Sequence, residues 1–412
     1  MTDSTLVTGS VGFEATVAST VTPGAAPSRG TLSSTLTRST VLPRVEMVGT
    51  EPRLVVEGKP RYQHTRRLGE GGLGEVLGAR DNDIGRDVAV KRLKPEVTSQ
   101  ASLARFVEEV RTIGRLEHPN IIPIHDVGVD EHGDYYFVMK YVDGETLESI
   151  IEKLAAGDPL YHARYGFERR VQIFMGLLEA VAFAHEKGIV HRDIKPANVM
   201  VGQYGEVVLM DWGIAKQLRS GTASLADTAF DAPAGHAGAR VTLFETQAGQ
   251  LVGTPAYMSP EQARGESVDE RSDVYSLSLL LHELLCLEHP LAQKRTLAEM
   301  LHGVTSEPTP MAGFVKSPHQ PTVPMDLSWY IHKGLMKDPA SRYQSVGEMV
   351  DRLLNRAEGK IPIQCHITFV KRVNGEWNRF VDRHPLVVTL ALAAMVLAFV
   401  VGGVSAVAHR IG

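Results

Sequence analysis

The stretch 188–201, GIVHRDIKPANVMV, limits this chain more than any other. Two apolar pieces that read as strands enclose Asp193, Lys195 and Asn198 within six residues. A structural loop needs turn formers. It does not need a lysine two places after a carboxylate and an amide three places after that lysine. Such a cluster suits chemistry on a charged group, where a carboxylate takes up or orients a proton, an ammonium neutralises charge and an amide oxygen helps hold a cation.

Other segments supply what that chemistry would need. LGEGGLGEV places Gly69, Gly71 and Gly74 in a G-x-G-x-x-G-x-V spacing that ends at Val76. Glycines let a backbone come close to phosphates and point N–H groups at them. A dinucleotide-binding loop would open into a helix, whereas residues 75–80 continue as a strand. Next, VAVK sets Lys91 on a strand with Ala89, Val88 and Val90. The helical pattern that follows, with Leu103, Phe106, Val110, Ile113 and Leu116 at helix spacing, carries Glu108 and Glu109. Either could pair with Lys91; Glu109 is favoured, and helix phase alone leaves Glu108 open. Downstream, LMDWGIAK offers Asp211 as a cation ligand, and GTPAYMSPE ends in Glu261, with Arg342 as candidate partner.

In order, these motifs resemble those of the eukaryotic-like serine/threonine protein kinases of bacteria. The resemblance runs from about Tyr62 to Arg356, roughly 70% of the chain. It implies an α+β, bilobal kinase fold with a β-rich N-lobe (62–142) and a helical C-lobe (143–356). ATP is the implied cosubstrate and Mg²⁺ the metal, with Mn²⁺ as a substitute. The family's roles would fall on Leu68, Gly69, Gly71, Gly74, Val76, Ala89, Lys91, Met139, Lys140 and Val142 for nucleotide, and on Asn198 and Asp211 for metal. Asp193, Lys195, Lys91 and Glu109 would be catalytic, and counting back from HPNI (118–121) supports Glu109. Trp212 stands where Phe is usual, Ser278 where Gly is frequent, and Lys140 where the hinge is often acidic. Arg192, before the catalytic Asp, implies regulation by a phosphorylated activation segment. Ser220, Thr222, Ser224, Thr228, Thr242 and Thr246 are its candidate sites, whereas Thr254 resembles a structural threonine.

The implied activity is phosphoryl transfer to Ser and Thr hydroxyls of proteins, including the chain itself. The alternative is a pseudokinase scaffold that binds nucleotide without transfer; intact Lys91, Asp193, Asn198 and Asp211 argue against it. A small-molecule kinase is a third reading, disfavoured by a segment suited to docking a peptide.

The flanks have other chemistry. Residues 1–61 are Ser/Thr/Pro-rich and read as a disordered tail with no secretory signal. Residues 386–408 carry no charge over about 23 positions, enough to span a bilayer. A buried core helix is the alternative. Lys371, Arg372, Arg379 and Arg383 lie in a basic juxtamembrane segment (357–385), and only Arg410 follows the run. The positive-inside rule then puts the preceding chain in the cytoplasm, on a single-pass anchor in the cell membrane. Only four residues follow Ala408, which leaves no room for an outer sensor domain. Ala398, Gly402 and Ala406 could pair two such helices in a homodimer, although a passive anchor is favoured. With 43 basic and 48 acidic residues, the net charge of −5 gives no pull towards nucleic acid. Two cysteines, Cys286 and Cys365, make no disulfide framework.

Overall fold

The computed structural model describes residues 40–55, 59–70, 74–94, 99–212, 216–217 and 255–411, with side chains up to Ala398. A hairpin of β1 (Arg44–Val48) and β2 (Glu51–Val55) comes first. This corrects the expectation of a disordered tail through residue 61. The alternation Val45, Met47 across from Leu54, with Gly49 at φ 68° in the turn, is enough to pair two short strands. Residues 1–39 lie outside the described part.

The N-lobe is an antiparallel sheet in the order β3-β4-β5-β7-β6. Its strands are β3 (Tyr62–Glu70), β4 (Gly74–Asp81), β5 (Arg86–Leu93), β6 (Ile124–Val129) and β7 (Tyr135–Lys140). Strand alternation sorts the two faces. Val88, Val90, Val138 and Ala79 pack on the outer face with Tyr62 and Tyr136. Ala89, Leu93, Phe137 and Met139 face the other way, against Phe106 and Ile113 of α1 (Gln100–Gly114). Ser99 caps α1 by accepting from Ser102 N.

The C-lobe is helical: α2 (Leu147–Ala155), α3 (Pro159–Arg164), α4 (Phe167–Glu186), α5 (Pro260–Arg264), α6 (Glu270–Cys286), α7 (Leu297–Thr305), α8 (Met325–Gly334) and α9 (Val346–Ala357). Helix α6 is buried on nearly all sides, as a central core helix must be when it is apolar around its circumference. Two small antiparallel sheets lie at the top of this lobe: β8 (Gly144–Thr146), β10 (Val199–Gly202) and β11 (Val207–Leu209) in one, β9 (Ile189–Val190) and β12 (Lys216–Gln217) in the other.

The segment expected as a basic juxtamembrane stretch forms an 18-residue helix, α10 (His366–Arg383). After His384 the chain turns into α11 (Pro385–Ile411), which contains the whole uncharged run. Among the described residues no single helix is long and apolar enough to cross a membrane; α10 together with 385–398, bent by 102°, has the length and composition. The anchor expected over 386–408 is therefore not established by the fold.

Ser278 has a packing reason. Its hydroxyl donates to Val274 O at 2.7 Å. A Cβ on Gly334 of α8 would fall 1.8 Å from that hydroxyl oxygen. The bulk absent at Gly334 is thus supplied by Ser278. Gly334→Ala is expected to cost about 1–3 kcal/mol in chemical denaturation, the usual penalty of overpacking, and Ser278→Gly in the same chain is expected to restore most of it.

Candidate active site

The catalytic-loop cluster is built on a strained turn. Arg192 has φ 70°, in the left-handed region that non-glycine residues avoid. The turn is held by Asp273, one turn into α6 and fully buried. Asp273 accepts from His191 N at 2.8 Å, from Arg192 N at 2.9 Å, and from His185 Nε2 at 2.8 Å. His191 is also fully buried, and burial pushes its imidazole below the ordinary value. Its partners fit one neutral tautomer: Nε2–H donates to Met210 O at 3.3 Å, and Nδ1 accepts from Asp193 N at 3.2 Å.

Beyond that turn the expected cluster assembles. Lys195 Nζ donates to Asp193 Oδ2 at 2.7 Å. Asn198 Nδ2 donates to Asp193 O at 2.8 Å and to Oδ2 at 3.1 Å. Among the described residues, both side-chain donors to this carboxylate take Oδ2. With its nitrogen committed, Asn198 has its amide oxygen available as a cation ligand.

Lys91 joins the two lobes. It meets Glu109 Oε1 at 2.5 Å and Asp211 Oδ1 at 3.3 Å. The helix pattern left Glu108 and Glu109 open; packing selects Glu109, which is 4% exposed. Burial works against the charge on Lys91, but Glu109 and Asp211 outweigh it and hold the ammonium above its ordinary pKa. Burial pushes Glu109 up, against the pull of Lys91. Burial pushes the Asp211 carboxyl up, but Lys91 outweighs it and holds the carboxylate below its ordinary value. Its φ of 58° is the second strained backbone of the site. Behind it Trp212 is buried, its ring 4.5 Å from that of His191. The larger indole is accommodated by that tilted ring contact.

The expected nucleotide-contacting residues gather on the sheet beside this centre. Val76 pairs with Lys91 across β4 and β5, and Ala89 with Met139 across β5 and β7. Val76 packs on the cluster that contains Ala89, Met139 and Val142. Leu68 is partly exposed on β3, and Lys140 ends β7. A Cβ on Gly69 would enter open space, whereas one on Gly74 would meet Arg92 O at 2.4 Å. Gly74 is therefore required by strand packing as well as by any phosphate. Gly71 lies outside the described residues, as do Thr254 and the candidate phosphorylation sites Ser220, Thr222, Ser224, Thr228, Thr242 and Thr246.

The far partner of Glu261 is Arg342. Its guanidinium makes two parallel bonds of 2.8 Å to the carboxylate, and Ser272 Oγ adds a third at 2.5 Å. Both residues are buried. Sequence reasoning did not foresee the bonds of Asp273 to the His185 ring and to the backbone of His191 and Arg192, because those partners lie more than 80 positions from it in the chain.

Comparison with known proteins agrees with this geometry. A family model for the protein kinase domain matches residues 62–353. The chain is 38% identical over 293 residues to a probable serine/threonine-protein kinase of Streptomyces coelicolor, covering 70% of this chain and 39% of that protein. It is 37% identical over 306 residues to the serine/threonine-protein kinase PknB of Mycolicibacterium smegmatis, covering 73% and 44%. It is 33% identical over 324 residues to the serine/threonine-protein kinase PknD of Protochlamydia amoebophila, covering 77% and 32%. This chain belongs to the protein kinase family. It spans less than half the length of these curated relatives.

The buried Glu261–Arg342 pair has a defined pH signature. Burial raises the carboxyl pKa, but Arg342 and Ser272 prevail and bring it to about 2, from an ordinary 4.5. A depressed carboxylate stabilises the fold above its unfolded pKa and loses that contribution as pH falls through its folded one. In urea denaturation, Arg342→Ala is expected to cost about 3–5 kcal/mol at pH 7, since it leaves a buried charge unpaired. The gap between parent and variant should shrink as pH falls below 4.5 towards about 2.

Proposed function

We propose that this chain is an active serine/threonine protein kinase that transfers the γ-phosphoryl group of ATP to Ser and Thr hydroxyls of proteins, itself included. The observation that carries the reading is the simultaneous presence of the Lys91–Glu109 pair and an Asp193 carboxylate that Lys195 and Asn198 both hold through Oδ2. A scaffold that only binds nucleotide has no need of the second. Lys91 holds phosphate oxygens, kept in place by Glu109. Asp193 orients the acceptor hydroxyl and accepts its proton. Lys195, 2.7 Å from Asp193, neutralises charge on the transferring group. The oxygen donors of Asn198 and Asp211 suit a hard divalent cation such as Mg²⁺, or Mn²⁺ in its place. When bound, that ion neutralises charge on the phosphates. Leu68, Val76, Ala89 and Met139 enclose the base, and the 140–142 backbone meets its polar edge.

The same reading puts the kinase domain on the cytoplasmic face of the cell membrane, held by α11. The support is that Leu386, Val387, Leu390, Leu392, Met395, Val396 and Leu397 are all exposed, on different sides of one helix. Protein covers none of these residues, and lipid would. Pairing of two such helices through Ala398, Gly402 and Ala406 would bring kinase domains together for trans-phosphorylation.

Incubation of the full chain in detergent with labelled ATP and Mg²⁺ tests the activity. Label is expected on Ser and Thr of the parent, with a loss of at least about a hundredfold in Asp193→Asn, as befits removal of the group that receives the proton. Folded, ATP-binding parent without label would overturn the activity in favour of the scaffold. Resistance of membrane-bound chain to alkaline carbonate is expected for the anchor, and complete release would overturn that part.

A further inference from the structure

Helix α10 is built inside out for a helix on a protein surface. At about 100° per residue, Thr368, Lys371, Gly375 and Arg379 fall on one side. That side faces the C-lobe. Thr368 is fully buried, and its Oγ1 accepts from Gln364 N at 2.8 Å and Cys365 N at 2.9 Å. Lys371 pairs with Asp326 of α8, which Arg356 of α9 also holds at 2.6 Å. Arg379 donates to Glu358 O, and Gly375 lies close enough to Gly359 that a Cβ there would touch Gly359 O at 3.5 Å. The polar and small residues thus fasten the helix to the protein.

The opposite side is apolar and bare. Phe369, Val370, Val373, Trp377 and Phe380 share it, and each is between 43% and 58% exposed. Of its four basic residues, Lys371 and Arg379 hold the protein, Arg372 pairs with Glu376 at 2.9 Å, and Arg383 stands at the end where the chain turns into α11. Its axis turns 102° from that of 385–398 across the single residue His384. If α11 stands along a bilayer normal, α10 lies almost in the bilayer plane, at the level where Trp and Phe partition and Lys and Arg meet headgroups.

We propose that α10 is an interfacial helix. Its Phe369–Trp377–Phe380 face is immersed at the boundary of headgroups and acyl chains of an anionic bilayer, and its opposite face clamps the C-lobe at a set height and tilt. The inference rests on the reading of α11 as an anchor and adds a second lipid contact to it. The kinase domain then does not swing on a tether: Lys371, Asp326 and Arg356 tie the membrane-bound helix to the lobe that carries the catalytic loop.

The test uses the full chain in vesicles of phosphatidylcholine and phosphatidylglycerol at about 3:1, so that anionic headgroups are present for the basic residues. The lipids carry bromine either close to the headgroup or deep in the acyl chain, or none. Bromine quenches indole fluorescence on contact. Of the three tryptophans, Trp212 is buried and Trp329 is half-buried on α8; both are present in parent and variant, so the parent and Trp377→Phe differ by the one indole on the bare face. The expected result is quenching of the parent, stronger with the shallow bromine, and a loss of at least about half of that quenching in Trp377→Phe. Equal quenching of the two proteins, while carbonate fails to extract the chain, overturns the interfacial helix and leaves the anchor standing. Extraction by carbonate removes the anchor and this inference together. If the two proteins quench equally and Trp377→Phe dissolves a dimer seen by light scattering, the bare face belongs to a second copy of the chain.

Discussion

One buried carboxylate holds the reactive centre in shape. Asp273 is removed from water at the head of the central helix, where a lone anion would be costly. It is stable there because the backbone of His191 and Arg192 and the ring of His185 all donate to it. The exchange works in both directions. The carboxylate obtains its donors, and the loop obtains a reason to keep Arg192 at φ 70°, a conformation it would otherwise leave. From that turn follow the neutral His191, its bond to Met210 O and the tilted contact of Trp212 with its ring. The position of Asp211 is in this way transmitted from α6 through side chains that never meet a substrate.

The two lobes meet electrostatically at Lys91. The β5 strand supplies the ammonium, α1 supplies Glu109, and the segment after β11 supplies Asp211. Three elements distant in sequence contribute one charge each, so the site is complete only when the lobes are closed on one another. Glu261 and Arg342 have a different task. Their bidentate pair, with Ser272, locks the start of α5 to the loop before α9 and lies away from the reacting groups. Specific geometry of this sort defines one arrangement among compact alternatives, although a buried ion pair by itself adds little net stability.

The C-terminal region follows another solvent rule. In the C-lobe, apolar side chains point inward, and buried charges such as Asp273, Glu261 and Arg342 are held by partners. In α10 the order is reversed, with Thr368 buried and Trp377 exposed, and in α11 Leu386, Val387, Leu390, Leu392, Met395, Val396 and Leu397 are exposed. The change between the two patterns occurs within a few residues of Cys365.

Much of the centre could be read along the chain. Asp193, Lys195 and Asn198 are close in sequence, so a short loop must bring them together whatever surrounds it, and strand alternation alone directs Lys91 and Ala89 to one face. Packing decided the rest. Glu108 and Glu109 are adjacent on a helix, and only the docking of α1 on the sheet turned Glu109 to the lysine. Ser278 had no account until Gly334 was found against it, 56 positions away in the chain. The hairpin at 44–55 was hidden in a Ser/Thr-rich context, and the reversed face of α10 lay within a segment that composition described only as basic. Local spacing encodes which groups can act together, because chain connectivity limits how far apart they can be. Which of two neighbouring carboxylates is buried, and which side of a helix is left bare, depends on contacts between distant segments, and those exist only once the chain has folded.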